Sequence, residues 1–321
     1  MPAAVRVFRS LEEAQGQFGP CALTIGNFDG VHAGHRAICR RVVETARRNG
    51  WRAALMTFEP HPTRIVAPER SPRLLSTALE RSRWMAEEGV EHVLILPFTQ
   101  ELSEFSPREF VQEILRKRLE ARAVFVGDNF RFGYRQAGDT RTLEELGREM
   151  GFQTGILHAV SQRGRLVSSS EIRRAIDRGD VARAARMLGR PHVLEGEVVT
   201  GKGIGTQKTV PTLNLSTRAE VLPARGVYVT RTADLAGGRA WPSVTNVGVR
   251  PTFGGEILTI ETYLLDELAG ETPHWIRVEL LYRLRDEKRF ENADALKAQI
   301  LRDVARARAY HRRTARWVKR V

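Results

Sequence analysis

Two histidines three residues apart, His32 and His35, stand in the segment GNFDGVHAGHR, directly after an apolar stretch. One helical turn brings side chains at that spacing together. Gly26, Gly30 and Gly34 allow close approach of the backbone to a bulky ligand. A helix beginning here would offer free backbone N–H groups to an anion. Two imidazoles at a helix N-terminus suit the binding of a triphosphate. A partly buried pair of structural histidines fits the same spacing. A metal site fits less well, because no third ligand is near in sequence.

Two further segments could also meet phosphate. VSSSEIRRAI sets Ser168, Ser169 and Ser170 before an amphipathic helix, with Arg173 expected in its first turn. Hydroxyls and a guanidinium there suit phosphate oxygens, although the same pattern makes a plain helix cap. GKGIGTQKTVPTLNL contains Gly201, Gly203 and Gly205. It is not a Walker motif, since no GK[ST] leads into a helix, and a strand-like stretch follows where a dinucleotide fingerprint needs a helix. A flexible loop over phosphates and a turn-rich hairpin both fit.

The elements that must position these residues change character halfway. In the first half CALTIGNF, RAALMTF, EHVLILPF, ARAVFVGDNF and GFQTGILHAV read as strands. GHRAICRRVVETARRNG reads as a helix closed by Gly50, and SPREFVQEILRKRL as a helix capped by Ser106 with Pro107 in its first turn. This β-α-β order predicts a largely parallel sheet with ligands at the carboxyl ends of its strands. In the second half six short strands, from LEGEVVTG to HWIRVELLYRL, predict a small antiparallel barrel. Leu296, Ile300 and Val304 recur every four residues, which predicts a C-terminal helix with that stripe on the barrel. The boundary is expected near Leu188, giving domains of 1–187 and 188–321.

Composition narrows the class. With 321 residues, 42% hydrophobic and 28% charged, the chain is long enough for two cores. It has no bilayer-length apolar run and no signal-like N-terminus, so a cytoplasmic protein is expected. Cys21 and Cys39 lack the count and spacing of a disulfide framework. The net charge of +13 raises nucleic-acid binding, but the last twenty residues hold eight Lys/Arg and one Asp, about half of the excess. Such a basic tail reads as a solvated surface, and a positive surface also suits ATP. Oligomeric state stays open.

HAGH together with SSSEIR resembles the HxGH and SSTxxR pair of the nucleotidylyltransferase superfamily. The longer GNFDGVHAGHR, with TFEPHP (57–62) and VGDNFRFG (126–133), resembles the bacterial bifunctional riboflavin kinase/FMN adenylyltransferases, the FAD synthetases. PTLN, TNVGVRPTF (245–253), ETYLLD and the region around LRDEKRFENADALKAQILRDV resemble the riboflavin kinase half, so the likeness spans essentially the whole chain.

The resemblance implies a Rossmann-like α/β nucleotidylyltransferase domain, then a β-barrel riboflavin kinase domain with a C-terminal helix. It implies phosphorylation of riboflavin to FMN, then adenylylation of FMN to FAD, with ATP as co-substrate and Mg²⁺ as cofactor. Gly26, Asn27, His32, His35, Ser168, Ser169 and Arg173 would bind ATP in the first domain, with His35 and Arg173 acting in catalysis. Phe58, Pro60, Asn129 and Phe130 would face flavin. In the second domain Gly201, Lys202 and Gly205 would bind ATP, Thr212 and Asn214 would hold the metal, and Glu261 would be the general base. Asn129 stands where many members have Asp, Thr209 where many have Gly, and Tyr263 where His is common. Two other readings follow: a monofunctional adenylyltransferase with an impaired kinase half, and a flavin- or nucleotide-binding regulator that uses the basic tail on nucleic acid.

Overall fold

The computed structural model describes residues 5–162, 164–199, 212–252, 255–268 and 270–318. Two compact units part between Ser169 and Ser170.

The first unit is built on six parallel strands: β1 (Arg6–Phe8), β2 (Cys21–Ile25), β3 (Arg52–Glu59), β4 (His92–Pro97), β5 (Ala121–Gly127) and β6 (Gln153–Leu157), in the order β1-β4-β3-β2-β5-β6. The strand β2 is central and buried throughout, as a parallel sheet covered on both faces requires. Leu23 and Ile25 point into a cluster with Phe110, Val111, Ile114, Leu143 and Leu146. Ala22 packs on the other face against Val42, Val43 and Ala46 of the helix Ala33–Asn49. Gly50 ends that helix in the left-handed conformation at φ 67°. Ser106 caps the next expected helix, with Pro107 at its start. From Phe110 to Arg118 this helix winds as a π-helix, and Leu119 N–H reaches Ile114 O at 3.0 Å. Both cysteines are buried free thiols. A short hairpin, β7 (Ser161–Gln162) with β8 (Arg165–Leu166), follows the sheet.

The second unit is a closed antiparallel barrel of β9 (His192–Val199), β10 (Thr212–Thr217), β11 (Gly226–Asp234), β12 (Ala240–Thr252), β13 (Gly255–Leu264) and β14 (Trp275–Asp286). Its order is β10-β13-β12-β11-β14-β9, and β9 pairs with β10 to close it. The interior is partly aliphatic, with Leu194, Leu213, Leu215, Ile276, Val278 and Leu280. Thr230, Thr232, Ser243, Thr245 and Thr262 form a buried hydroxyl chain with O···O distances of 2.8–2.9 Å. That chain lets a polar interior stay fully hydrogen-bonded. The helix Val181–Leu188 counts with this unit because Val181 enters the barrel core.

The helix Ala293–Val318 lies on the outer face of the barrel, but not by the expected stripe. Leu296 and Ile300 are exposed at 42% and 41%, and only Val304 of the three packs inward. The buried face is Gln299, Asp303 and Ala307. Asp303 accepts from Arg285 Nε and Gln299 Nε2, both at 2.9 Å, and His311 Nε2 donates to Thr230 O at 3.0 Å. Arg285 on β14 presents a charge that the helix must answer, and this outweighs burial of two aliphatic side chains. Asp303→Ala would leave that guanidinium without its partner and should cost about 3 kcal/mol of barrel stability. Leu301→Ser, at a 61% exposed site, should change it by less than about 0.5 kcal/mol. Denaturant unfolding of the two variants checks this; equal effects would contradict the assigned face.

Candidate functional sites

The carboxyl ends of β3, β2 and β5 lie side by side, because β2 pairs with both neighbours. The chain leaves β2 toward β3 and β4 on one side, and β5 lies on the other. Ligands bind at such a switch point in open parallel sheets. The segment after β2 is 26–35, the segment after β3 holds Pro60, and the segment after β5 holds Asn129 and Phe130. Segment 26–35, Pro60 and the pair Asn129 and Phe130 therefore all follow the carboxyl ends of these three adjacent strands.

His32 caps the helix Ala33–Asn49: its Nδ1 accepts a long 3.4 Å bond from His35 N–H. An accepting Nδ1 places the proton on Nε2. The two rings stack at 3.6 Å with an 18° interplanar angle, and Phe28 meets His35 edge-on at 5.2 Å. A Cβ added at Gly34 would come within 3.1 Å of the His32 ring, so a larger residue there would push that ring by a few tenths of an ångström. His35 Nδ1 is shielded from solvent and has no hydrogen-bond partner among the described residues. A buried polar atom left without a partner costs about 1–3 kcal/mol, a cost that an arriving ligand oxygen can offset. One of the sequence-distant serines reaches this turn: Ser169 Oγ donates to Asp29 O at 2.9 Å. Arg173 is the fifth residue of the helix Ser169–Asp177, so it opens the second turn rather than lying in the first.

On the flavin side Phe58 is buried and meets Phe98 edge-on at 5.5 Å. Phe130 stacks on Phe132 at 5.4 Å. Asn129 is exposed. Pro60 follows a cis peptide bond.

In the barrel, Leu213 and Leu215 point inward, so Thr212 and Asn214 share the outer face of β10. Asn214 is directly opposite Glu261 on β13, and Glu261 is directly opposite Asn246 on β12. These residues make a row of oxygen-bearing side chains across three strands. The adjacent row is Thr212, Tyr263 and Val244. Oxygen donors of this kind fit a hard divalent cation. Tyr263 packs partly under the C-terminal helix, where burial pushes its hydroxyl pKa up. Gly201, Lys202, Gly205 and Thr209 lie outside the described residues.

Sequence reasoning missed Asp29, Ser76, Arg81 and Asn246. Asn246 stands in a quoted segment but had no partner until β12 and β13 were paired. Arg81 sits singly on a helix and gives no motif.

Burial first, then the charges of His32 and Arg81, hold His35 well below the usual 6.5. The folded ring stays neutral while an unfolded chain takes a proton below about 6.5. The stability its neutrality contributes is thus complete above that value and is lost as pH falls toward the folded pKa. Nitrogen NMR should find the His35 ring neutral at pH 6; titration at or above 6.5 would contradict the packing described.

Comparison with known proteins finds a different family match in each half of the chain. The family profile described as FAD synthetase matches residues 14–171, and the one described as riboflavin kinase matches residues 188–311. The bifunctional riboflavin kinase/FMN adenylyltransferase of Escherichia coli (strain K12) is 37% identical over 290 residues, covering 90% of this chain and 92% of that protein. The Pseudomonas fluorescens protein of the same name is 37% identical over 306 residues, covering 95% and 97%. A solved structure described as a macrolide-efflux protein from Streptococcus pneumoniae superposes with a TM-score of 0.84 at 26% identity, covering 95% of this chain and 98% of that one. Among the described residues, no helix is long and apolar enough to cross a membrane.

Proposed function

We infer that this chain, which belongs to the bifunctional riboflavin kinase/FMN adenylyltransferase family, converts riboflavin and ATP to FMN and ADP, then FMN and ATP to FAD and pyrophosphate. The observation that carries the reading is that each unit presents its own set of ligand-type residues, and relatives of that name cover both units. The row Asn214–Glu261–Asn246 is intact in the barrel, which favours two activities over an adenylyltransferase with an impaired kinase half. We assign adenylyl transfer to 1–187 and phosphorylation to 188–321, in the cytoplasm.

In adenylyl transfer an oxygen of the FMN phosphate attacks the α-phosphorus of ATP and pyrophosphate leaves. The nucleophile is already ionised at neutral pH, with a second pKa near 6, so no general base is needed. The work is positioning and charge neutralisation. Gly26 and Asn27 bring backbone close to the phosphates. His32 and His35 offer ring donors beside the helix N-terminus, and Ser168, Ser169 and Arg173 complete the phosphate ligands. Phe58, Pro60, Asn129 and Phe130 hold the flavin so that its phosphate is aligned with the α-phosphorus.

In phosphorylation Glu261 takes the proton of the ribityl hydroxyl as that oxygen attacks the γ-phosphorus of ATP, and ADP leaves. An alcohol needs this base. Thr212 and Asn214 would hold Mg²⁺, which neutralises charge on the phosphate oxygens when bound. Gly201, Lys202 and Gly205 are assigned to the ATP of this step.

Chromatographic product analysis separates the two sites. His35→Ala should slow FAD formation from FMN by roughly 10²-fold and leave FMN formation from riboflavin unchanged. Glu261→Ala should do the reverse, by roughly 10²–10⁴-fold. FAD formation unaffected in the first variant, or FMN formation unaffected in the second, would overturn the corresponding assignment.

A further inference from the structure

The turn after β2 is strained. Phe28 and Val31 adopt φ of 49° and 41°, in the left-handed region where a β-branched residue is an outlier. Each such residue costs about 1–3 kcal/mol and persists only where its surroundings hold it. The surroundings are polar and buried. The Asp29 carboxylate, 4% exposed, accepts from Leu75 N–H at 2.8 Å and from Ser76 Oγ at 3.4 Å. Gly30 N–H donates to Ser76 Oγ at 3.0 Å.

Arg81 also reaches the turn. It occupies a core position of the helix Ala78–Glu87, whose buried residues are Ala78, Arg81, Ser82 and Met85. At 2% exposed it stands where an apolar residue would be expected. Its Nη1 donates to Asn27 O and lies 3.3 Å from Thr57 Oγ1, and Thr57 Oγ1 itself donates to the same Asn27 O at 3.3 Å. Its Nε donates to Thr77 O at 3.4 Å. A guanidinium alone has the fork of donors to bridge these oxygens. Burial pulls its pKa down, while the Asp29, Glu59 and Glu80 carboxylates oppose that.

We propose that Arg81 is a positioning residue for adenylyl transfer: it clamps the carbonyl of Asn27 and so holds the strained Asn27–Val31 turn in the shape that offers its backbone and the His32–His35 pair to a triphosphate. This rests on the reading of 26–35 as the ATP phosphate site. A buried cation is costly, and an apolar residue of like size is often as stable or more so. Arg81 therefore has a role that packing does not supply, and its contacts to the turn define it. Without the clamp the Asn27 peptide relaxes, so ATP binding and the alignment of its α-phosphorus suffer together, while on the flavin side the loss is limited to the contact with the Thr57 hydroxyl of β3.

The test is steady-state FAD synthesis by the full chain carrying Arg81→Met or Arg81→Lys, with His35→Ala in parallel. Arg81→Met should raise KM for ATP and lower kcat by about tenfold each, a loss within reach of a 1 Å misplacement. KM for FMN should stay within about twofold, and riboflavin phosphorylation should be unchanged. Arg81→Lys keeps the charge but offers one compact donor group, and should fall between wild type and the methionine variant. If the methionine variant does not fold, the lysine variant decides alone. Wild-type kinetics in either variant, or equal loss for ATP and FMN, overturns the proposal. FAD synthesis at the wild-type rate by His35→Ala would instead overturn the phosphate-site reading itself.

Discussion

An anion bound by main-chain N–H groups needs donors that neither a sheet nor a helix has used, and the phosphate site proposed for the first unit depends on supplying them. The turn after β2 does this by leaving the sheet and twisting through Phe28 and Val31 at positive φ before His32 caps the next helix. The neighbouring elements then become intelligible as supports. Asp29 is spent on Leu75 and Ser76, Ser169 reaches in from the far end of the unit to Asp29 O, and Gly34 leaves room for the stacked rings. Alanines at 22, 53, 54, 121 and 123 keep the central strands closely covered, so the turn is fixed to a rigid base.

The barrel solves a different problem by register. Its residues alternate between an inner and an outer face, so three side chains meet only when three strands pair in one register. Asn214, Glu261 and Asn246 do so. A one-residue slip of β13 would turn Glu261 inward and Thr262 outward. The buried hydroxyl chain resists such a slip, since Thr262 is bonded to Thr245 and Thr245 to Thr230. Moving one strand would leave several hydroxyls unsatisfied.

Legibility in the sequence followed the range of the interaction involved. The parallel and antiparallel halves, Gly50, Ser106, Pro107 and the His32–His35 pair were readable because strand alternation, caps and helical spacing are local. The inward face of the Ala293–Val318 helix was not. Four-residue spacing marked Leu296 and Ile300, but Arg285, remote in sequence, decided which face turns in. The π winding after Phe110 was hidden for a related reason: its apolar spacing differs from that of an α-helix by less than sequence can resolve. Arg81 was invisible because a single arginine on an amphipathic helix ordinarily faces water, and only three-dimensional contact reveals it in a core position.

The two sites differ where their nucleophiles differ. GNFDGVHAGHR contains one carboxylate, Asp29, and that carboxylate is buried and turned toward Leu75 and Ser76. On the proposed reading this keeps it from the phosphates, where a negative charge would repel both substrates. An ionised phosphate attacking phosphorus requires no base, so nothing is lost by removing it. In the barrel a carboxylate lies in the row itself, between two asparagines that carry no charge. Attack by a hydroxyl oxygen requires a proton acceptor; with Glu261 as the proposed base, its neutral neighbours add no further negative charge beside ATP. On the proposed assignments, the placement of carboxylates, buried in one unit and in the outer row of the other, matches the two proton requirements.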